Sequence, residues 1–267
     1  MKLSISNIGW TAENDDAVYA IMKQLNYAGL EIAPTRIFPE APYNRLEEAT
    51  KWAKELKERF GFAVASMQSI WFGRSEKVFG TDWERKEILD YTKKAIDFAS
   101  ACNCKNLVFG CPRNRAYPEE WSVEMVDKIA IPFFKELGDY AFEKNTVLAM
   151  EANPPIYNTN FINGTCDAFE LISKVDSKGF LLNLDLGTMI ENGEGVDVIS
   201  DKVEMINHVH ISEPGLKVIE RREIHNELIE VLNQEKYEGF VSIEMGKQEN
   251  IENLKSVMNY VCELINR

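Results

Sequence analysis

The stretch INHVHISEP, residues 206–214, holds two of the three histidines of a 267-residue chain, two positions apart inside an apolar run. In a strand, residues i and i+2 point to the same face, so His208 and His210 would look into one common space. Counting runs of the same kind says what that space is. Strand-like segments recur as KLSISNI (2–8), GLEIA (29–33), FAVASMQ (62–68), NLVFG (106–110), TVLAME (146–151), GFLLNLD (179–185), INHVHIS (206–212) and GFVSIEM (239–245). Between them lie AVYAIMKQLNYA, LEEATKWAKELKERF, ERKEILDYTKKAIDFASA and HNELIEVLNQ, with apolar residues at helical spacing, and ENLKSVMNYVCELIN closes the chain. Eight βα units averaging about 33 residues match the repeat that closes into a barrel. The fold class predicted is therefore α/β, a (β/α)8 TIM barrel, as one domain over residues 1–267. A doubly wound open sheet is the competitor, but no Gly-rich turn follows the first strand.

Composition agrees with one large core, since 45% of residues are hydrophobic. The balance of 43 acidic against 30 basic residues gives a formal charge of −13, which disfavours nucleic acid and anionic membranes as partners. No apolar run approaches membrane-spanning length and MKLSISNIGW does not read as a signal peptide, so a cytoplasmic protein is expected. The five cysteines form no CxxC pair and are expected to be reduced, mostly buried thiols. Association into a homo-oligomer is left open.

In such barrels the chemistry sits where strands end and βα loops begin. Glu151 (LAMEANPP), Asp185 (LNLDLGT), His210 (HVHISEP) and Glu244 (SIEMG) fall at those ends in four consecutive units. Any one such carboxylate is explained as the cap of the next helix. Three together would repel strongly unless a cation neutralises them, and one divalent metal is the expected resolution. An oxygen-rich set with one imidazole suits Mn²⁺ first, with Mg²⁺, Co²⁺ or Zn²⁺ as alternatives. His208 reads as a support for His210 rather than a ligand.

These residues, in this order, resemble the xylose isomerase-like barrel superfamily and its sugar phosphate isomerase/epimerase branch, which includes tagatose and psicose 3-epimerases, hydroxypyruvate isomerase and inosose dehydratase. The resemblance runs from GLEIAP in the second unit to YEGFVSIEM in the eighth. It implies one divalent metal held by Glu151, Asp185, His210 and Glu244, with Glu151 and Glu244 as the catalytic acid and base acting on a sugar through an enediolate. Three positions depart from the pattern. Thr188 stands where many relatives have histidine, Lys217 where the 3-epimerases have arginine, and Tyr157 where they have glutamate.

The rim loops supply Arg36, Arg74, Arg113, Arg115 and Lys217, five cations on an otherwise acidic protein, and so an anionic carbohydrate, above all a sugar phosphate, is the expected substrate. The other expected substrate contacts are Gln68, Asn153, Glu213 and His225, with Trp10 and Trp71 as covers for a sugar's apolar face. The same site would serve a metal-dependent dehydratase of a keto-sugar or cyclic polyol, and the fold would serve a catalytically silent carbohydrate-binding barrel. The DNA-repair endonucleases related to this superfamily use a histidine-rich three-metal cluster, for which three histidines are too few.

Overall fold

In the computed structural model, which describes residues 1–266, all eight expected strands are present and close into one parallel barrel in chain order. They are β1 (Lys2–Ser6), β2 (Gly29–Ile32), β3 (Ala63–Met67), β4 (Leu107–Phe109), β5 (Leu148–Glu151), β6 (Phe180–Asp185), β7 (Ile206–Ile211) and β8 (Phe240–Ile243). The helices are α1 (Asp15–Gln24), α2 (Pro34–Ile37), α3 (Leu46–Phe60), α4 (Asp82–Ala101), α5 (Val123–Glu143), α6 (Thr165–Val175), α7 (Leu186–Asn192), α8 (Glu223–Gln234) and α9 (Ile251–Ile265). Local chemistry marks their ends. Thr81 and Glu84 form a reciprocal capping box at the start of α4, and Gly61 closes α3 at φ +83°, a conformation that suits glycine.

The apolar core fills the space between barrel and helices. Phe134 of α5 stacks on Phe180 of β6 with ring centroids 5.0 Å apart and meets Phe109 of β4 edge-on at 5.0 Å. The lumen is different. Ser4, Ser6, Glu31, Ser66, Asn183 and His208 are all buried strand residues, so polar groups must find partners across the barrel. Parallel register then levels the functional strand ends: Asp185 pairs with His210, His210 with Ser242, and Glu151 with Asn183.

Among the described residues no helix is long and apolar enough to cross a membrane. All five cysteines are free, but only Cys102 and Cys104 are buried and Cys166 is exposed, so the expectation of mostly buried thiols holds for two of them.

The tightest approach of helix to barrel is at Gly179, just before β6. A Cβ there would run into the carbonyl of Gly138 and lie 2.6 Å from the Phe142 amide, both backbone groups of α5. Gly179→Ala should therefore cost about 1–3 kcal/mol, seen as a lower denaturant midpoint at unchanged slope. A midpoint equal to that of the parent would show that α5 moves aside without cost.

Candidate functional site

The barrel's strand ends bring Glu151, Asp185, His210 and Glu244 together, with one potential ligand atom from each lying within 4.8 Å of the others. His210 is fully buried at the centre. Its Nδ1 lies 3.2 Å from both Glu151 Oε1 and Glu244 Oε2, while its Nε2 lies 2.8 Å from Glu31 Oε2. Glu31 comes from β2, on the far side of the lumen, and also lies 3.2 Å from His208 Nε2. An imidazole whose Nε2 faces a buried carboxylate is oriented there and presents Nδ1 to the strand-end carboxylates, with the Asn183 amide 3.3 Å away. This is the arrangement in which a histidine ligates a metal with one nitrogen and is oriented through the other.

The electrostatics follow from burial. Burial raises the Asp185 carboxyl above its usual range, and repulsion from Glu151 adds to this. Burial raises Glu244 likewise, opposed by His210. For Glu31 burial works in the same direction, but His210 and His208 outweigh it and hold the carboxyl below its usual range. Burial disfavours charge on His210, yet Glu31 and Glu244 outweigh it and raise the imidazole well above its ordinary value. His208 is pushed down by burial, with Glu31 only partly offsetting this. A buried or partly buried set of three carboxylates and one oriented imidazole thus draws in positive charge. The donor chemistry fits a divalent cation, with Glu151, Asp185, His210 and Glu244 as the residues that would hold it.

Other side chains hold these four in place. Glu151 accepts from Asn183 Nδ2 at 2.8 Å and from Asn153 Nδ2 at 3.1 Å. Asp185 accepts from the Ser212 hydroxyl and, through its other oxygen, from the Thr188 amide at 2.8 Å. That second oxygen caps α7, so the helix-cap reading and the site reading of Asp185 are both satisfied by one carboxylate. Thr188, where many relatives have histidine, is buried and its hydroxyl also donates to the Ala152 carbonyl at 2.8 Å.

Above the cluster lies a cleft of about 240 Å³ lined by Gln68, Cys111, Asn153, Tyr157, Glu213 and Leu216 together with Glu151, Asp185 and Glu244. A larger hollow of about 680 Å³, around Glu204 and Glu238, opens at the opposite end of the strands, away from these groups.

The sequence model of the family described as xylose isomerase-like TIM barrel matches residues 19–263. The chain belongs to that family. No curated protein matches the sequence. Among solved structures, 3-keto-D-glucoside 4-epimerase from E. coli is 17% identical with a TM-score of 0.77 over 100% of both chains. D-psicose 3-epimerase from Clostridium cellulolyticum H10, solved with D-tagatose, is 14% identical with a TM-score of 0.79 over 99% of both chains. An AP endonuclease, family 2, from Brucella melitensis is 17% identical with a TM-score of 0.74, covering 98% of this chain and 99% of its own. At these identities the likeness is one of fold.

Within this family frame, the expected substrate contacts divide in two. Gln68, Asn153 and Glu213 line the cleft. The five expected loop cations do not. Arg36 is taken by Asp15 through two hydrogen bonds of 2.6 and 3.3 Å. Arg74 pairs with Glu76. Arg115 is fully buried behind Asn153, donating to its Oδ1 at 2.8 Å, and burial pushes its guanidinium down to about 10. Arg113 and Lys217 are exposed outside the lining. His225 is buried in α8, with Nδ1 2.7 Å from the Tyr260 hydroxyl of α9. Three of the five expected cations, Arg36, Arg74 and Arg115, thus have protein partners already, and His225 is held in the core by Tyr260.

The tryptophans are packing residues as well. Trp10 donates to Asp15 at 2.7 Å, and Trp71 donates to Thr92 at 2.8 Å with its ring 4.7 Å from Phe109.

Glu31, Asn183, Ser212 and Arg222 were missed. Glu31 carries a signal, a lone charge inside the apolar run GLEIA, and Asn183 and Ser212 lie two residues from Asp185 and His210 on the same strand faces. Arg222, which grips both oxygens of Glu213 at 2.7 Å, carries none.

Two outcomes follow. Glu31→Gln removes the carboxylate that orients His210, so divalent-metal affinity should fall by about 10- to 100-fold in a calorimetric titration while the circular dichroism stays that of the parent; equal affinity would deny Glu31 that role. Burial also holds His225 down at about 4 from an ordinary 6.5. The unfolded chain therefore binds the extra proton between those values, so its contribution is complete above pH 6.5 and is lost as pH falls towards 4, at a slope approaching about 1.4 kcal/mol per pH unit. Stability measured against pH should be flatter in His225→Gln over that window, and parallel curves would contradict it.

Proposed function

We propose that the protein is a divalent-metal-dependent sugar epimerase or isomerase, and that its substrate is a neutral sugar. The observation that carries the reading is the pair Glu151, at the end of β5, and Glu244, just past β8, each 3.2 Å from His210 Nδ1 at the floor of a sugar-sized cleft. Two carboxylates approaching from different strands suit the removal of a proton on one face of a carbon and its return on the other. A bound divalent cation, Mn²⁺ by the oxygen-rich donor set, would polarise the sugar's carbonyl and so acidify the neighbouring C–H.

The chain's own groups do the remainder. Asn183 and Asn153 each donate to one oxygen of Glu151, which fixes the orientation of the carboxylate. Burial keeps Glu244 readier to hold a proton than an exposed glutamate. A base and an acid facing the same carbon divide the two transfers between Glu151 and Glu244, with an enediolate of the sugar between them. The neutral-sugar reading is supported by the cleft's lining, which offers Glu151, Asp185, Glu213 and Glu244 and no lysine or arginine. The sugars with which neighbouring D-psicose 3-epimerase structures were solved, D-tagatose and D-fructose, are likewise unphosphorylated.

The test is exchange of solvent deuterium into ketoses, free and phosphorylated, with Mn²⁺ present. A free ketose should incorporate label and its phosphate should be the poorer substrate. Glu151→Gln and Glu244→Gln should each lower turnover by about a hundredfold or more while metal binding is partly kept. No label in any ketose, or full turnover in both variants, would defeat the reading, and a preference for the phosphate would restore the anionic one.

A further inference from the structure

Tyr157 is the residue at the cleft whose hydrogen bonding is left unfinished. It stands in a single 3₁₀ turn, Pro155–Tyr157, straight after Pro154, and the chain reverses at Asn158 with φ +64°. Two prolines and a tight turn give its ring a rigid mount. The phenol oxygen accepts from the Gly215 amide at 2.7 Å, which ties the loop after β5 to the loop after β7. With that amide occupying the oxygen as acceptor, the phenol proton remains, and no group among the described residues takes it.

The other side-chain hydroxyls of the lining are spent: Ser69 donates to Gln68, and Ser212 donates to Asp185. The amides of Gln68 and Asn153 each commit one N–H, to Ser6 and to Glu151. The lining is otherwise rich in carboxylates, which only accept when ionised. A sugar oxygen entering this cleft therefore meets acceptors nearly everywhere and a ready hydroxyl donor at Tyr157.

We infer that Tyr157 donates a hydrogen bond to a substrate oxygen and so selects the sugar that the cleft holds. This rests on the sugar reading above but not on the direction of proton transfer. It also gives the tyrosine, where 3-epimerases carry glutamate, a defined consequence: a neutral donor replaces an anionic acceptor.

Calorimetric titration of the Mn²⁺-loaded protein with D-psicose, D-tagatose and D-fructose tests it. Tyr157→Phe should weaken the ketose that the parent binds best by about fivefold or more, with Mn²⁺ affinity unchanged. Because the same change also frees the Gly215 amide, a second variant separates the two roles. A difluorotyrosine at position 157 ionises at lower pH; a phenolate accepts from Gly215 more strongly but has no proton to give. If Tyr157 donates to the sugar, this variant should bind the ketose as the parent does at acidic pH and lose it as pH rises through the fluorophenol's ionisation. Binding that is unchanged or tightened over that rise, a Tyr157→Phe affinity within twofold of the parent, or the absence of binding to all three ketoses would overturn the inference. Binding without deuterium exchange would instead sink the epimerase reading and leave this one standing.

Discussion

The 2.8 Å contact between His210 Nε2 and Glu31 Oε2 crosses the barrel lumen from β7 to β2, and the arrangement of the site depends on it. A free imidazole at the end of a strand could turn either nitrogen to the rim. With Nε2 fixed by a fully buried carboxylate, Nδ1 alone faces Glu151, Asp185 and Glu244. The contact also explains why a lumen so polar is tolerated. Glu31 would be costly in isolation, and His210 with His208 supplies the partners that keep it ionised.

Charge balance then decides what the mouth of the barrel will accept. Two buried carboxylates, Glu31 and Glu151, and two partly buried ones, Asp185 and Glu244, are faced by His210 and, from behind Asn153, by the buried Arg115. A proton on His210 and a cation beside Nδ1 are alternative ways of neutralising the same group of acids. Several of the surrounding arginines have acidic partners of their own, Asp15 for Arg36, Glu76 for Arg74 and Glu213 for Arg222, while Arg113 is exposed.

The loops convert this charged floor into a selective cleft. Tyr157 reaches from the loop after β5 to the Gly215 amide, the Gly246 amide donates to the Leu216 carbonyl at 2.8 Å, and Leu216 enters the cleft lining. Leu216 holds φ +54°, an uncommon conformation for a branched side chain, so the backbone bonds on either side of it define where its side chain goes. The lining of the cleft thereby gains one phenol and one leucine from these two loops.

Much of this was legible in the residues alone. Period-2 and period-3.6 patterns name the eight strands and their helices because each buries a different face, and equal unit length places Glu151, Asp185, His210 and Glu244 on one rim by geometry common to all parallel barrels. What sequence could not decide was partnership. Arg36, Arg115 and His225 have the residue types of a substrate grip, yet their fates depend on Asp15, Asn153 and Tyr260, which lie 21, 38 and 35 residues away. Glu31 stands 179 residues from His210 and meets it only because the barrel closes. Spacing along a chain fixes which face and which end a side chain occupies; closure of the sheet and the course of the loops fix which opposite group it meets, and that competition among neighbours belongs to the tertiary structure alone.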